Sequence, residues 1–165
     1  MILLLECIGL CLIFYMLIII SYKKNTLSGV HNLPIEIQKS VQELPEYNDI
    51  KPKSILSTRK RIIKKIPALI VLLVIFAIFV YLAGAKNFIE GFIYSFIIWF
   101  TIKIFVVFAI DILWYSNSPN YWIKGTEYLE SEYKNYKFYI SSIPRSLIAG
   151  FIVSIIIGII ISIIG

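Results

Sequence analysis

Lys103 and Asp111 stand inside an apolar run, 91–115, with Lys103 twelve residues from either end. A charge at that depth in hydrocarbon costs about 2.5 to 3.5 kcal/mol on insertion scales, so such groups turn toward other helices and find partners. Gly91, Ser95, Trp99, Lys103, Val107, Asp111 and Tyr115 recur every four residues and form one stripe, expected to face neighbouring helices and not lipid. Two kinds of chemistry suit the pair. Lys103 can attract an anionic group, and Asp111 can take part in proton or cation binding. The structural alternative pairs Asp111 with Lys124 or Arg145 and Lys103 with backbone carbonyls, Glu6 or Glu90, helped by the long lysine stem. Glu6, about one turn inside the first apolar run, reads as an interfacial residue.

Other residue patterns carry less chemistry. Ser146, Gly150, Ser154, Gly158 and Ser162 give consecutive small-xxx-small steps, which let helix backbones approach closely, either within one chain or between two copies. Cys7 and Cys11 are one helical turn apart and lack the spacing of a redox pair or the ligand number of a zinc site. The one histidine, His31, has no triad or metal-ligand arrangement around it, and no glycine-rich phosphate loop occurs. No metal and no cofactor are implied.

The elements that must position these residues are membrane spans. Hydrophobic residues make up 59% of the 165, and mean hydropathy is +0.83, more apolar material than one soluble core uses. Four apolar stretches approach the ~20 residues a helix needs to cross ~30 Å of hydrocarbon. They predict an all-α, four-transmembrane-helix bundle in one membrane domain, with spans at 2–21, 67–85, 91–115 and 146–164. The first run has no basic residue before it and no small-x-small cleavage site after it, so it reads as a retained span.

The connections set the orientation. Loop 22–66 carries ten Lys or Arg residues and loop 116–145 carries four, whereas the short turn 86–90 carries only Lys86. The excess of positive charge predicts that both loops are cytoplasmic and both termini outside, in the cytoplasmic membrane of a cell. In the first loop, Asn32 can cap and Pro34 can open a short interfacial amphipathic helix with Ile37, Val41 and Leu44 on one face, stopped by Pro45. Arg59, Lys60, Arg61, Lys64 and Lys65 then cluster before the second span, where they would meet anionic lipid headgroups. The second loop is rich in Tyr and Trp, as suits the headgroup zone. Charge placed at apolar ends points to membrane lipids as partners and away from nucleic acid. A second copy or another membrane protein is a further partner class.

Two blocks carry a resemblance. Val30-His-Asn-Leu-Pro-Ile-Glu-Ile-Gln38, and Ile110-Asp-Ile-Leu-Trp-Tyr-Ser-Asn-Ser118 running into Trp122-Ile-Lys-Gly-Thr-Glu127, resemble a family of small bacterial four-pass integral membrane proteins with an Asp-x-x-Trp … Gly-Thr-Glu block. Asn117 stands where that pattern has His, and Lys124 where it has Pro. The resemblance implies four passes and no particular activity, and it draws attention to Asp111, Trp114, Gly125, Thr126 and Glu127. Together with Asn117, Trp114 and the Gly-Thr-Glu turn would line a headgroup-level pocket, or else form a corner tying the loop to the bundle, with Thr126 capping the next turn.

The leading expectation is therefore a binding, accessory or transport component with a polar centre at Lys103 and Asp111. A membrane enzyme for a lipid or isoprenoid substrate, using Asp111, Asn117 and Glu127, is the alternative; it lacks a nucleophile and base pair. A pore self-associating through the small-residue face of the fourth span is the second.

Overall fold

The structure, a computed structural model, describes residues 2–24, 26–45, 70–71 and 73–165, less the side chains of Lys24, Thr26, Ser28 and His31. The basic cluster Arg59, Lys60, Arg61, Lys64 and Lys65 and the first part of span 67–85 lie outside the described residues.

All regular structure among the described residues is helical. Helix α1 spans Ile2–Lys24 and a 3₁₀ turn follows at Thr26–Asn32. Helix α2 is Ile35–Glu43 and α3 is Leu73–Leu82. Helix α4, Phe88–Phe105, continues without a break as a π-helix, Val106–Tyr115. Short 3₁₀ turns at Pro119–Tyr121 and Glu127–Leu129 lead to α5, Glu130–Tyr133, and then α6, Tyr136–Ile164. Among the described residues, three helices are long and apolar enough to cross a membrane: Ile2–Lys23, Phe88–Tyr115 and Tyr136–Ile164. Side chains such as Leu5, Leu12, Leu17, Leu113, Ile148 and Ile163 stand more than half exposed, a surface that only lipid or another apolar body would cover.

Polar residues fix the start of α4. Asn87 Oδ1 accepts from Glu90 N at 3.0 Å, and Glu90 Oε2 accepts from Lys86 N at 2.8 Å, so the first turn is capped reciprocally. From there α4 and α6 run antiparallel in close contact. A Cβ on Gly91 would come within 2.9 Å of Ile161 Cβ and 3.1 Å of Gly158 Cα, and one on Gly158 within 2.9 Å of the Phe88 carbonyl oxygen. A Cβ on Gly150 would collide with the Trp99 indole, whose Nε1 donates to Ser146 O at 3.0 Å and Ser146 Oγ at 3.3 Å. The small-residue stripe of α6 is thus occupied by α4 of the same chain: Gly150, Ser154 and Gly158 are buried, Ser146 is half-buried, and Ser162 is exposed. Cys7, Leu10 and Cys11 of α1 and Phe76 and Val80 of α3 complete this core, with both cysteines reduced.

Two expected boundaries shift. Helix α6 begins at Tyr136, well before Ser146, because Asn135 Oδ1 accepts from Phe138 N at 3.2 Å and caps it; Pro144 therefore lies inside the helix. Helix α2 begins at Ile35 with Pro34 as its boundary residue and without a side-chain cap, so Asn32 does not play that part. Its Ile37 and Val41 are buried, against a second core that includes Leu33, Tyr115, Trp122, Ile123 and Tyr133. Leu44 is half-buried beside Gly125.

Candidate functional site: a charged pocket beside the π-helix

The π segment decides which residues share a face. An α-helix turns about 100° per residue, so the four-residue stripe from Gly91 to Tyr115 would swing about 240° over its six steps. Bonding i→i+5 turns the chain less per residue and reverses that drift. Asp111 is brought back onto the face of Lys103, eight residues earlier, and Gly91, Ser95, Val107 and Tyr115 are all buried. A π-helix leaves its last carbonyls in need of donors. Asp111 O accepts from Ser116 N at 3.1 Å and Ser116 Oγ at 2.7 Å; Ile112 O and Leu113 O accept from Asn117 Nδ2 at 2.9 and 3.1 Å; Tyr115 O accepts from Trp122 Nε1 at 3.1 Å. Ser116, Asn117 and Trp122 are therefore the cap that holds the segment in this form.

Lys103 and Asp111 open into one pocket of about 460 Å³. Helix α1 contributes Ile18, Ser21 and Tyr22, the 3₁₀ turn contributes Gly29 and Asn32, and α6 contributes Phe138, Tyr139, Ser142 and Arg145. Lys103, Arg145 and Asp111 are the charged residues of its wall, for a formal charge of +1. An ion pair within 4.0 Å joins Lys134 to Glu130 on the exposed surface, and none joins Lys103, Arg145 and Asp111 to one another. The pocket thus holds two cations and a carboxylate that are not locked to each other, although the charges of Lys103 and Asp111 act on one another across it. Of the expected partners, Arg145 shares this wall with Asp111 without an ion pair between them, while Glu90 caps α4 and Glu6 lies far along α1 with Oε2 buried and without a hydrogen bond.

A second cavity, about 360 Å³, adjoins the first and shares Ile18, Lys103 and Val106 with it. Its other walls are Phe14, Phe76, Trp99, Ile102 and Ser146. The sequence offers Arg145 as a partner for Asp111, but neither this cavity nor the pocket that Arg145 shares with Lys103 is legible in it. The signal for the π-helix was present in a four-residue spacing kept too long for an α-helix.

The remaining candidates do not converge on the pocket. Asn117 caps the π-helix. Glu127 Oε2 accepts from Gly125 N at 2.8 Å within its own turn. Thr126 is buried with Oγ1 2.7 Å from Tyr133 Oη and 2.8 Å from Ile123 O, so it does not cap the following turn with its side chain. Trp114 packs on Tyr121 and Tyr22 at ring separations of 4.6 and 6.0 Å. Gly125, at φ +86°, adopts a conformation that disfavours other residues, and an added Cβ there would meet Leu44 at 3.1 Å. These residues, with Trp122 stacked on Tyr133 at 4.5 Å, build a corner that joins α2 to the bundle. No group of three or more His, Cys, Asp or Glu able to hold a metal occurs among the described residues. No family model, no curated protein and no solved structure matches the chain.

Proposed function

We propose that this is a small bacterial cytoplasmic-membrane protein, a binding, accessory or transport component that holds an anionic group between Lys103, Arg145 and Asp111. The observation that carries this reading is the pocket itself: two basic side chains from different helices face one cavity without an ion pair. An unpaired ammonium at such depth is costly, and an anion at the same point offsets that cost. Asp111 sets a limit on the guest, since it repels a second negative charge and accepts a hydrogen bond from a protonated one. In this reading the chain crosses the membrane four times, both termini face outward, and the pocket opens at the cytoplasmic headgroup level, with Tyr22, Tyr121 and Tyr139 as its aromatic belt.

The anion is tested with purified protein in phosphatidylcholine nanodiscs. Inorganic phosphate should raise the unfolding temperature of wild type, and the rise should vanish in Lys103→Met and in Arg145→Gln. Equal responses from all three proteins would sink the proposal. Orientation is tested separately: a cysteine introduced by Lys86→Cys should react with an impermeant maleimide on intact cells, and one introduced by Lys134→Cys only after lysis. The reverse pattern would invert the topology.

The enzyme alternative is not favoured, because Asn117 and Glu127 are spent on backbone hydrogen bonds outside the pocket. Self-association through the α6 stripe is not favoured either, because α4 already fills it.

A further inference from the structure

We infer that the guest of the charged pocket is an amphiphile with a phosphate head, whose aliphatic chain passes Lys103 into the adjoining apolar cavity. This rests on the anion reading above and adds the second half of the ligand. The two cavities, about 460 and 360 Å³, have Ile18, Lys103 and Val106 as common lining, so the lysine stem lies at their junction. On one side of it stand Arg145 and Asp111; on the other stand Phe14, Phe76 and Trp99. On the apolar side the Trp99 Nε1 hydrogen is already given to Ser146 O and Oγ. That side offers chiefly hydrocarbon contact, whereas the other offers charge.

A free anion would occupy the charged half alone and leave the apolar half without contacts. A molecule with a polar and an apolar end fills both. The direction also fits a bilayer: Phe14 lies one turn before Ile18 and Trp99 one turn before Lys103, both farther from the Tyr22–Tyr115 end of the helices. The chain would then point toward the membrane interior, as lipid chains do in the leaflet whose headgroups meet that end. On the head, one negative charge matches the formal +1 of the wall, and a hydroxyl on or beside the phosphate supplies the donor that Asp111 needs.

Affinities of inorganic phosphate and of ethyl, octyl and dodecyl phosphate are measured by titration calorimetry on the whole protein in phosphatidylcholine nanodiscs. Lys103→Met protein in the same nanodiscs corrects for partitioning into lipid, and Arg145→Gln serves if Lys103→Met does not fold. Affinity should rise at least tenfold from ethyl to octyl phosphate, and dodecyl maltoside, with the same chain as dodecyl phosphate and a neutral head, should bind at least tenfold more weakly than dodecyl phosphate. If inorganic phosphate and all three alkyl phosphates bind equally well, the anion site stands and the amphiphile inference fails. If dodecyl maltoside binds as well as dodecyl phosphate, the head has no role and the inference fails. If no phosphate binds above the variant background, both the inference and the reading beneath it fail.

Discussion

The two ends of the α4–α6 pair are built on opposite principles. Toward Phe88, α4 is an α-helix, and glycines at 91, 150 and 158 draw the backbones together until an added Cβ finds no room. Toward Tyr115, the chain is wound as a π-helix, and charged and aromatic side chains surround open space. Close packing at one end holds the helices in register, and that fixed register lets the other end keep a polar cavity without collapse. The capping hydrogen bonds from Ser116, Asn117 and Trp122 do the complementary work, because backbone released from α-helical bonding must find partners when water is scarce.

Substitution at the tight end should have the largest effect. Gly150→Leu drives a side chain into the Trp99 ring and should cost about 3 kcal/mol or more, seen as lost monodisperse protein in size exclusion and a lower unfolding temperature. Ser162→Leu, on the same stripe but exposed, should change neither. Equal damage from both would mean that the stripe acts between copies and not within the chain.

The corner beneath the pocket comes next. Gly125→Ala imposes a side chain at φ +86° against Leu44 and should cost about 1 to 3 kcal/mol by thermal unfolding. The double variant with Leu44→Ala should recover the steric part only, so the two changes will not be additive. Asn117→Ala should cost less, about 1 kcal/mol, because Ile112 and Leu113 carbonyls lose a donor at an exposed position where water can replace it. Faster amide exchange confined to the last π turn would be the matching signature.

The smallest stability effect is expected where the functional effect is greatest. Lys103→Met removes an unpaired charge from a half-buried site, so its unfolding temperature should stay within a few degrees of wild type or rise, while the response to phosphate disappears. A severe loss of stability in this variant would make Lys103 a structural residue, and the contrast between the two ends would then be one of packing alone.

Much of the framework was legible in the residues because membrane spans obey one-dimensional rules. Length and hydropathy located α1, α4 and α6, and the small-residue spacing identified the face of α6 that meets a helix. The stripe through Lys103 and Asp111 was legible as a face turned away from lipid, since unpaired charges there are expensive. Helix α6 starts nearly three turns before Ser146, because a cap at Asn135 begins it and Pro144 is carried inside. Asn117, Thr126 and Glu127 drew attention through the Asp-x-x-Trp … Gly-Thr-Glu block; their hydrogen bonds make them parts of a cap and a turn.

What the sequence determined by itself is therefore the kind of molecule, an apolar helical chain of membrane-spanning segments with a charged stripe in the run 91–115. Those properties are sums over residues or repeats along one helix and need no partner to be defined. Only the tertiary structure decided that the stripe ends in a π-helix, that Arg145 of α6 joins Lys103 and Asp111 around one pocket, and that an apolar cavity lies beside it. Each depends on how far one helix rotates and how closely another approaches, and those quantities are set by side chains distant in sequence.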